Sequence, residues 1–427
     1  MQLDKLSKLN PWWTVGSVPE GLSGKPRREY GLLLRSIAVK EVTVITGVRR
    51  SGKSTLMYQM ISHLLSDKTP PEQILFVNLE DSRLAEDSLE DIYECYRGNM
   101  NPGKKAYVFL DEVHKRGNWE SWVRSHYDAD SNCKFVVSGS SSYLLKKEYS
   151  TLLTGRNLSF EVFPFSFREF LAFKGIKVDI GKLKKGLIGE SVKHAVHKAL
   201  NEYLEEGGFP GAFFQQSEFK TRTLAQYFDD IIYKDIVARY NLNGQKTRDL
   251  ALYFITNISG VVSLRNIRGT LGLSYESTKD YLSYFKEAFL FFTADHFSYS
   301  MKEQKTRSSK IYCIDNGMRN AVSFKFSNDL GKLAENLVFL ELVRREKDVY
   351  YWSGKGEVDF IVKEKDQTLA AVNVSYTDEI DERETRALKE FKAGFPKAKE
   401  LIVITKNIGK KESGITFIPL WKWLLEK

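Results

Sequence analysis

Three cysteines in 427 residues, Cys95, Cys133 and Cys313, are too few, too far apart and odd in number for a disulfide framework or a zinc site. Reduced thiols in a cytosol fit them, and no structural metal is expected. His194 and His197 stand three apart, but no cysteine or third histidine is near, so an exposed helix face is the expectation. No run of eighteen apolar residues occurs and the first ten residues hold no apolar signal segment. That argues against a spanning helix or a secretory leader, and predicts a soluble, cytoplasmic protein without a membrane partner. Internal repeats and low-complexity tracts are also lacking. With 42% hydrophobic residues, the chain is long enough for two or three domains with their own cores. Lys and Arg number 64 against 55 Asp and Glu, and the net charge of +9 permits a polyanionic partner without requiring one; a solvated basic surface is the alternative.

What the sequence does hold is a complete phosphate-binding loop of the form G-x-x-x-x-G-K-[ST]: Gly47, Val48, Arg49, Arg50, Ser51, Gly52, Lys53 and Ser54, with Thr55 behind it. The β-rich stretch 42–46 precedes it and a helical pattern over 56–65 follows. A strand feeding a Gly-rich turn that opens a helix aims backbone N–H groups at a phosphate chain. Lys53 would neutralise the β- and γ-phosphates of ATP, and the Ser54 hydroxyl would ligate Mg²⁺. A nucleotide hydrolase also needs a carboxylate for the cation and a group that activates water. The apolar run 107–110 ends in Asp111 and Glu112, which suit those two roles. One strand later, Ser138 opens a Ser/Gly stretch, placing a hydroxyl where it could touch the γ-phosphate or the water.

Up to about residue 160, short β-rich runs (42–46, 74–79, 107–110, 134–138) alternate with helical stretches, the rhythm of a parallel sheet covered on both faces. Residues 190–292 read as mainly helical, and strand candidates return at 349–352, 357–362, 369–374 and 400–405. The expectation is an α/β chain in three parts: an ATPase domain over 1–188 with an N-terminal extension over 1–30, a helical and winged-helix-like domain over 189–304, and a second α/β domain over 305–427. Polar stretches 174–189 and 300–309 are the expected linkers.

The order of these motifs resembles the AAA+ ATPases, the P-loop class with an additional strand and a catalytic glutamate. More narrowly, Asn10-Pro-Trp-Trp13, Arg49-Arg50, Asn78-Leu-Glu-Asp81, the phrase over 138–145, Thr154-Gly-Arg156 and the phrase over 164–170 resemble a prokaryotic AAA+ family with an accessory C-terminal half. Phrases over 203–210, 233–237 and 331–336 extend the resemblance over nearly the whole chain. It implies ATP and Mg²⁺ as cofactors and a homo-oligomer, a ring being the expected form, in which an arginine of one subunit acts on the nucleotide of the next. Arg156 and Arg239 are the candidates, with ordinary ion pairing as the alternative for each. Asp111-Glu-Val-His114 also spells a DExH box, but no second helicase half follows.

In the middle region, residues 262–286 have the form of a helix, a turn at Gly272 and a second helix capped by Ser274. Residues 288–293 would be a first wing strand. Tyr275, Glu276, Ser277 and Lys279 would face a DNA major groove, unless the module serves only for protein packing. The C-terminal region resembles the PD-(D/E)xK nuclease fold, with Glu335 on a helix and Asp359 on a strand. Asn373 and Ser375 stand where that fold carries its second acid and its lysine, so a catalytically dead domain is expected. Lys389, on the next helix, reads as a solvated lysine. Trp12, Trp13, Trp421 and Trp423 are expected to pin the termini, and Gly207-Gly-Phe-Pro-Gly211 to end a helix. Three functions remain in play: an oligomeric ATPase acting on DNA, an ATP-driven switch for proteins, and an ATP-dependent nuclease.

Overall fold

Five β-rich runs build one sheet: β1 (Val42–Thr46), β2 (Ile74–Asn78), β3 (Ala106–Asp111), β4 (Cys133–Gly139) and β5 (Asn157–Glu161). In the computed structural model, which describes residues 3–27, 30–129, 132–142, 155–323 and 330–426, their order is β2-β3-β4-β1-β5 and every neighbouring pair is parallel. β4 therefore separates the P-loop strand from the Asp-Glu strand, the inserted strand that the resemblance implies. Successive residues point to opposite faces, so Val44, Val108 and Val137 enter one apolar cluster while Ile45, Phe109 and Val136 enter another. Helices Leu89–Asn99 and Trp119–Ala129 contribute to the first cluster and helix Lys53–Ser66 to the second.

The exposed edge of β2 is covered by the chain's own start. Both indole N–H groups of Trp12 and Trp13 donate to the Ile74 carbonyl, at 3.1 and 2.8 Å. The Asn10 carboxamide donates to the Phe76 carbonyl at 2.9 Å and accepts the Phe76 N–H at 2.6 Å. The tryptophans thus pin the N-terminus, as their apolar bulk and single donor suggest.

The chain separates into two compact units: Met1–Val162 with Glu287–Phe289, and Phe163–Lys286 with Leu290–Lys427. The expected boundaries at 188 and 304 do not coincide with these units, because strands on both sides of residue 304 share one sheet. It comprises β6 (Gly260–Val262), β7 (Phe291–His296), β8 (Ser309–Cys313), β9 (Asp348–Ser353), β10 (Glu357–Lys363), β11 (Leu369–Ser375), β12 (Ala398–Thr405), β13 (Lys410–Glu412) and β14 (Ile415–Pro419), in the order β13-β14-β12-β11-β10-β9-β7-β8-β6. The stretch expected as a first wing strand, 288–293, is strand from Phe291 on and lies inside the sheet: β7 pairs antiparallel with β8 on one side and parallel with β9 on the other. Both expected linkers also contain helices, Ile180–Lys184 and Met301–Thr306.

Ahead of these strands, helix Ser217–Asp230 continues into a π-helical segment, Ile231–Val237. Gly207 ends helix Glu190–Glu206 with φ 72°, and the next N–H, of Gly208, donates to Asp315 at 2.7 Å. A Cβ on Gly207 would lie 2.1 Å from Asp315 Oδ1, so only glycine fits the crossing. Helices Ile267–Leu271 and Tyr275–Glu287 form the expected pair, joined through Gly272 at φ 67° and Ser274, whose Oγ accepts the Ser277 N–H at 3.0 Å. His197 packs against the Trp421 ring at 5.5 Å, and Trp421 and Trp423 are buried. Among the described residues, no helix is long and apolar enough to cross a membrane.

Candidate functional site

The P-loop lies at the C-terminal end of β1. Gly47, at φ 145°, crosses so close to Val162 that a Cβ would meet its carbonyl oxygen at 2.1 Å. Gly52, at φ 101°, opens helix Lys53–Ser66. Between them Val48 is buried and the Ser51 N–H returns to its carbonyl at 3.2 Å. Arg50 is exposed at φ 69°. Arg49 is held flat against Glu80 by two parallel bonds of 3.0 Å, and this charge-assisted pair keeps the Glu80 carboxyl below its usual range. Arg27 donates to the Ser51 carbonyl at 2.7 Å, and Thr55 lies against Gly24. Glu80 and Arg27 brace the loop without belonging to it. The phrase Asn78-Leu-Glu-Asp81 held the only sequence signal for the first, and nothing marked the second.

The loop, β3 and β4 bring five expected residues together. Asp111, buried at the end of β3, accepts the Ser54 hydroxyl on Oδ2 at 2.6 Å and the Ser138 hydroxyl on Oδ1. Burial first, and then the neighbouring Glu112 charge, push the Asp111 carboxyl above its ordinary range. A carboxylate so destabilised favours a cation beside it. Lys53 Nζ donates to the carbonyls of Gly47 and Val48, at 3.0 and 3.1 Å, and stands 3.8 Å from Glu112 Oε1. Glu112 has φ 54°, a left-handed conformation that costs a non-glycine residue about 1 kcal/mol. That turn aims its carboxylate back at the loop, where Oε2 accepts the Ser140 N–H at 3.2 Å and lies 3.4 Å from His114 Nδ1. The buried hydroxyls of Thr46, Ser51 and Ser140 have no hydrogen-bond partner among the described residues. Unsatisfied hydroxyls around a lysine and an under-neutralised aspartate fit a bound phosphate chain with its Mg²⁺.

Arg156 does not join this group. Arg156 precedes β5 and pairs with Asp128 at 3.1 Å. Because Val42 is level with Asn157 and the strands run parallel, Arg156 sits at the end of the sheet opposite the P-loop, about six residues or about 20 Å along the strand from Gly47. Arg239 belongs to the second unit, its guanidinium 5.5 Å from the centre of the Tyr240 ring. Tyr143, Leu144, Leu145 and Thr154, part of the family-like phrases, lie outside the described residues.

A second carboxylate cluster forms in the other unit. Glu335 and Asp359 do meet, and between them stands Lys310 of β8, almost wholly buried. Its Nζ lies 3.0 Å from Glu335, 2.7 Å from Glu357 and 2.9 Å from Asp359. Tyr312 donates to Glu335 at 2.8 Å. Burial alone would lower the Lys310 ammonium, yet the surrounding anions, Asp359 foremost, hold it well above its ordinary value. Burial, and then Asp359, push the Glu335 carboxyl up to about 8 despite Lys310. Asn373 accepts the Asp359 N–H at 3.1 Å and donates to Glu384 at 2.8 Å, while Lys389 is exposed on its helix. The lysine among these acids was invisible to sequence reasoning, since it comes from a strand ahead of the helix that carries Glu335. Among the described residues, no group of three or more His, Cys, Asp or Glu is arranged to hold a metal ion.

Comparison with known proteins finds a known domain over the P-loop sheet. The AAA domain family matches residues 39–171, and two domains of unknown function match 197–329 (DUF8612) and 330–423 (DUF4143). An uncharacterized protein of Methanocaldococcus jannaschii is 33% identical over 419 residues, covering 92% of this chain and 90% of its own. One from Haemophilus influenzae is 30% identical over 398 residues, covering 90% and 94%. Among solved structures, the Walker-type ATPase of Pyrococcus abyssi is similar at TM-score 0.44 and 12% identity, over 70% of this chain and 95% of that one. AMPPCP-bound DnaA of Aquifex aeolicus is similar at TM-score 0.26 and 15% identity, over 65% and 92%. With an AAA domain on the P-loop sheet and relatives that match it almost end to end, the chain belongs to a family of AAA-domain proteins with members in Methanocaldococcus jannaschii and Haemophilus influenzae.

Proposed function

We propose that the protein is a Mg²⁺-dependent ATPase that works as a homo-oligomer, a ring being the expected form, and couples hydrolysis to the binding or remodelling of DNA. The carrying observation is the junction of Ser54, Asp111 and Ser138 beside Lys53 and Glu112. Lys53 leaves the Gly47 and Val48 carbonyls for the β- and γ-phosphate oxygens of ATP. Ser54 and Asp111 would hold Mg²⁺, which supplies charge neutralisation on those oxygens. Glu112 takes the proton of the attacking water as its oxygen bonds to the γ-phosphorus and the bond to the ADP oxygen breaks. Ser138, which donates to Asp111, would sense the change at the γ-phosphate. Arg156, out of reach of its own P-loop, suits action on a neighbour's nucleotide in a head-to-tail ring.

DNA enters this reading through the second unit. Its helix pair around Gly272, followed by β7 and β8 beside β6, has the element order of a winged helix. Helix Leu330–Arg344, β9, β10, β11, helix Glu382–Gly394 and β12 follow the order of a nuclease-type core, and the Lys310 ammonium amid its acids supports a core that binds without cutting. A protein-directed switch is the second reading, favoured by the exposed rings of Phe214 and Phe219. ATP turnover measured over a protein concentration series, with and without duplex and branched DNA and with Lys53→Ala as blank, tests both. Turnover that rises with concentration and with DNA supports the first. Indifference to DNA moves the assignment to the switch, and turnover by the blank overturns the site.

A further inference from the structure

Three elements of the second unit bring positive charge to one groove. The turn after β6 supplies Arg265, helix Tyr275–Glu287 supplies Lys279, and the end of helix Met301–Thr306 with the residue behind it supplies Lys305 and Arg307. The groove encloses about 390 Å³ over a floor that includes Val262 and Ile311, and no aspartate or glutamate lines it. Tyr275 and Lys279 are one helical turn apart and share a face. The Tyr275 ring is 43% exposed, with the Arg265 guanidinium 5.9 Å from its centre. All four cationic side chains are exposed. Among the described residues neither Lys279 nor Lys305 enters an ion pair, while Arg307 has Glu303 at 3.6 Å, one turn back on its own helix.

Like charges gathered from three elements repel one another in the free protein, and an anion in the groove relieves that repulsion. A small anion among exposed, hydrated cations is screened within a Debye length and gains little. A polymer that carries a phosphate every few ångströms gains with each contact, because each one releases a condensed counterion. The exposed Tyr275 ring and the start of a thirteen-residue helix stand beside the cations, the arrangement that lays a helix in a major groove while flanking cations hold the backbone.

We propose that this groove holds a phosphate strand of duplex DNA, with Arg265, Lys279, Lys305 and Arg307 on the phosphates and Tyr275 at the groove edge. It rests on the DNA reading above and adds the contacting residues. The test is the salt dependence of binding to a labelled 30-base-pair duplex, by fluorescence anisotropy, for wild type, Lys279→Glu/Lys305→Glu, the milder Lys279→Gln/Lys305→Gln, and a control, Lys365→Glu/Lys399→Glu, on other exposed lysines of the same unit. Losing two phosphate contacts lowers the slope of log affinity against log salt by about 2 and weakens binding about 50-fold near 0.1 M salt. The Gln pair should follow the same trend, the control should bind like wild type, and DNA-free ATP turnover should be unchanged in all. Wild type binding duplex while both groove variants match it, or the control losing as much, overturns the groove and leaves the DNA reading standing. Tighter binding of single strands than of duplex overturns the duplex assignment. No binding by wild type at 50 mM salt overturns both.

Discussion

Each unit of this protein gathers acids around a lysine, and the two clusters end in opposite chemical states. At the P-loop, Lys53 is bonded to backbone carbonyls and stays 3.8 Å from the nearest carboxylate, so Asp111 is left to two serine hydroxyls that a cation can displace or join. In the second unit, Lys310 is bonded to three carboxylates directly and its ammonium fills the space a cation would need. Residue types alone do not separate an open site from a closed one. What the ammonium is bonded to does, because a buried carboxylate with an internal counter-ion has little left to gain from an external one.

The sharpest way to break this comparison is to disarm the open cluster. Glu112→Gln should still bind ATP while turnover falls about a thousandfold, and Lys53→Ala should lose nucleotide binding; normal single-turnover rates in either variant would remove the assignment. Next in size, Lys310→Met leaves the Asp359 and Glu357 carboxylates without their cation, beside a Glu335 that keeps its proton, and should lower stability by about 3–5 kcal/mol in urea melts at neutral pH. Adding Glu335→Gln and Asp359→Asn should restore most of it, and an unchanged melt for the single variant would show the cluster to be hydrated rather than closed.

Titration separates the clusters further. Glu335 is raised from its ordinary value to about 8, so the folded chain holds a proton there that the unfolded chain releases. Its contribution to stability is complete below pH 4.5 and is lost as pH rises toward 8. Glu335→Gln should flatten that decline. Asp111 is also raised, by burial first, so a proton competes with Mg²⁺ there; Mg²⁺-dependent ATP affinity, read by isothermal titration, should rise more steeply with pH in wild type than in Asp111→Asn, and equal slopes would argue against Asp111 as ligand. The smallest expected effect is at the brace. Glu80→Gln frees Arg49 from a partly exposed pair and should weaken ATP binding about two- to fivefold, with turnover of the bound complex kept.

The nucleotide site was legible because its parts are local. Nine consecutive residues form the loop, Asp111 and Glu112 are adjacent at a strand end, and the apolar run ahead of each declares a buried strand. Less was legible where strands are brief or mixed. β7 was legible only in part, as a wing strand over 288–293 where the structure has Phe291–His296, and β8 was not legible as a strand, since five residues with a lysine among them give no clean alternation. The nuclease-like residues were half readable: Glu335 and Asp359 sit in the expected helix and strand, while Lys310 stands 25 residues ahead of the first in a strand with no motif.

The sequence by itself determined the phosphate loop, its acidic partner strand, the parallel sheet that carries them and the uncharged Asn373 and Ser375 on β11. Each is set by short-range spacing and by the alternation that burial imposes on a strand. Only the tertiary structure decided that Glu112 turns back through a left-handed backbone onto Lys53, that Glu80 braces Arg49, that Arg156 lies at the far end of its sheet, and that Lys310 closes the second cluster. These depend on which strands become neighbours, and pairing between segments tens of residues apart is fixed by the packing of the whole sheet rather than by any local pattern.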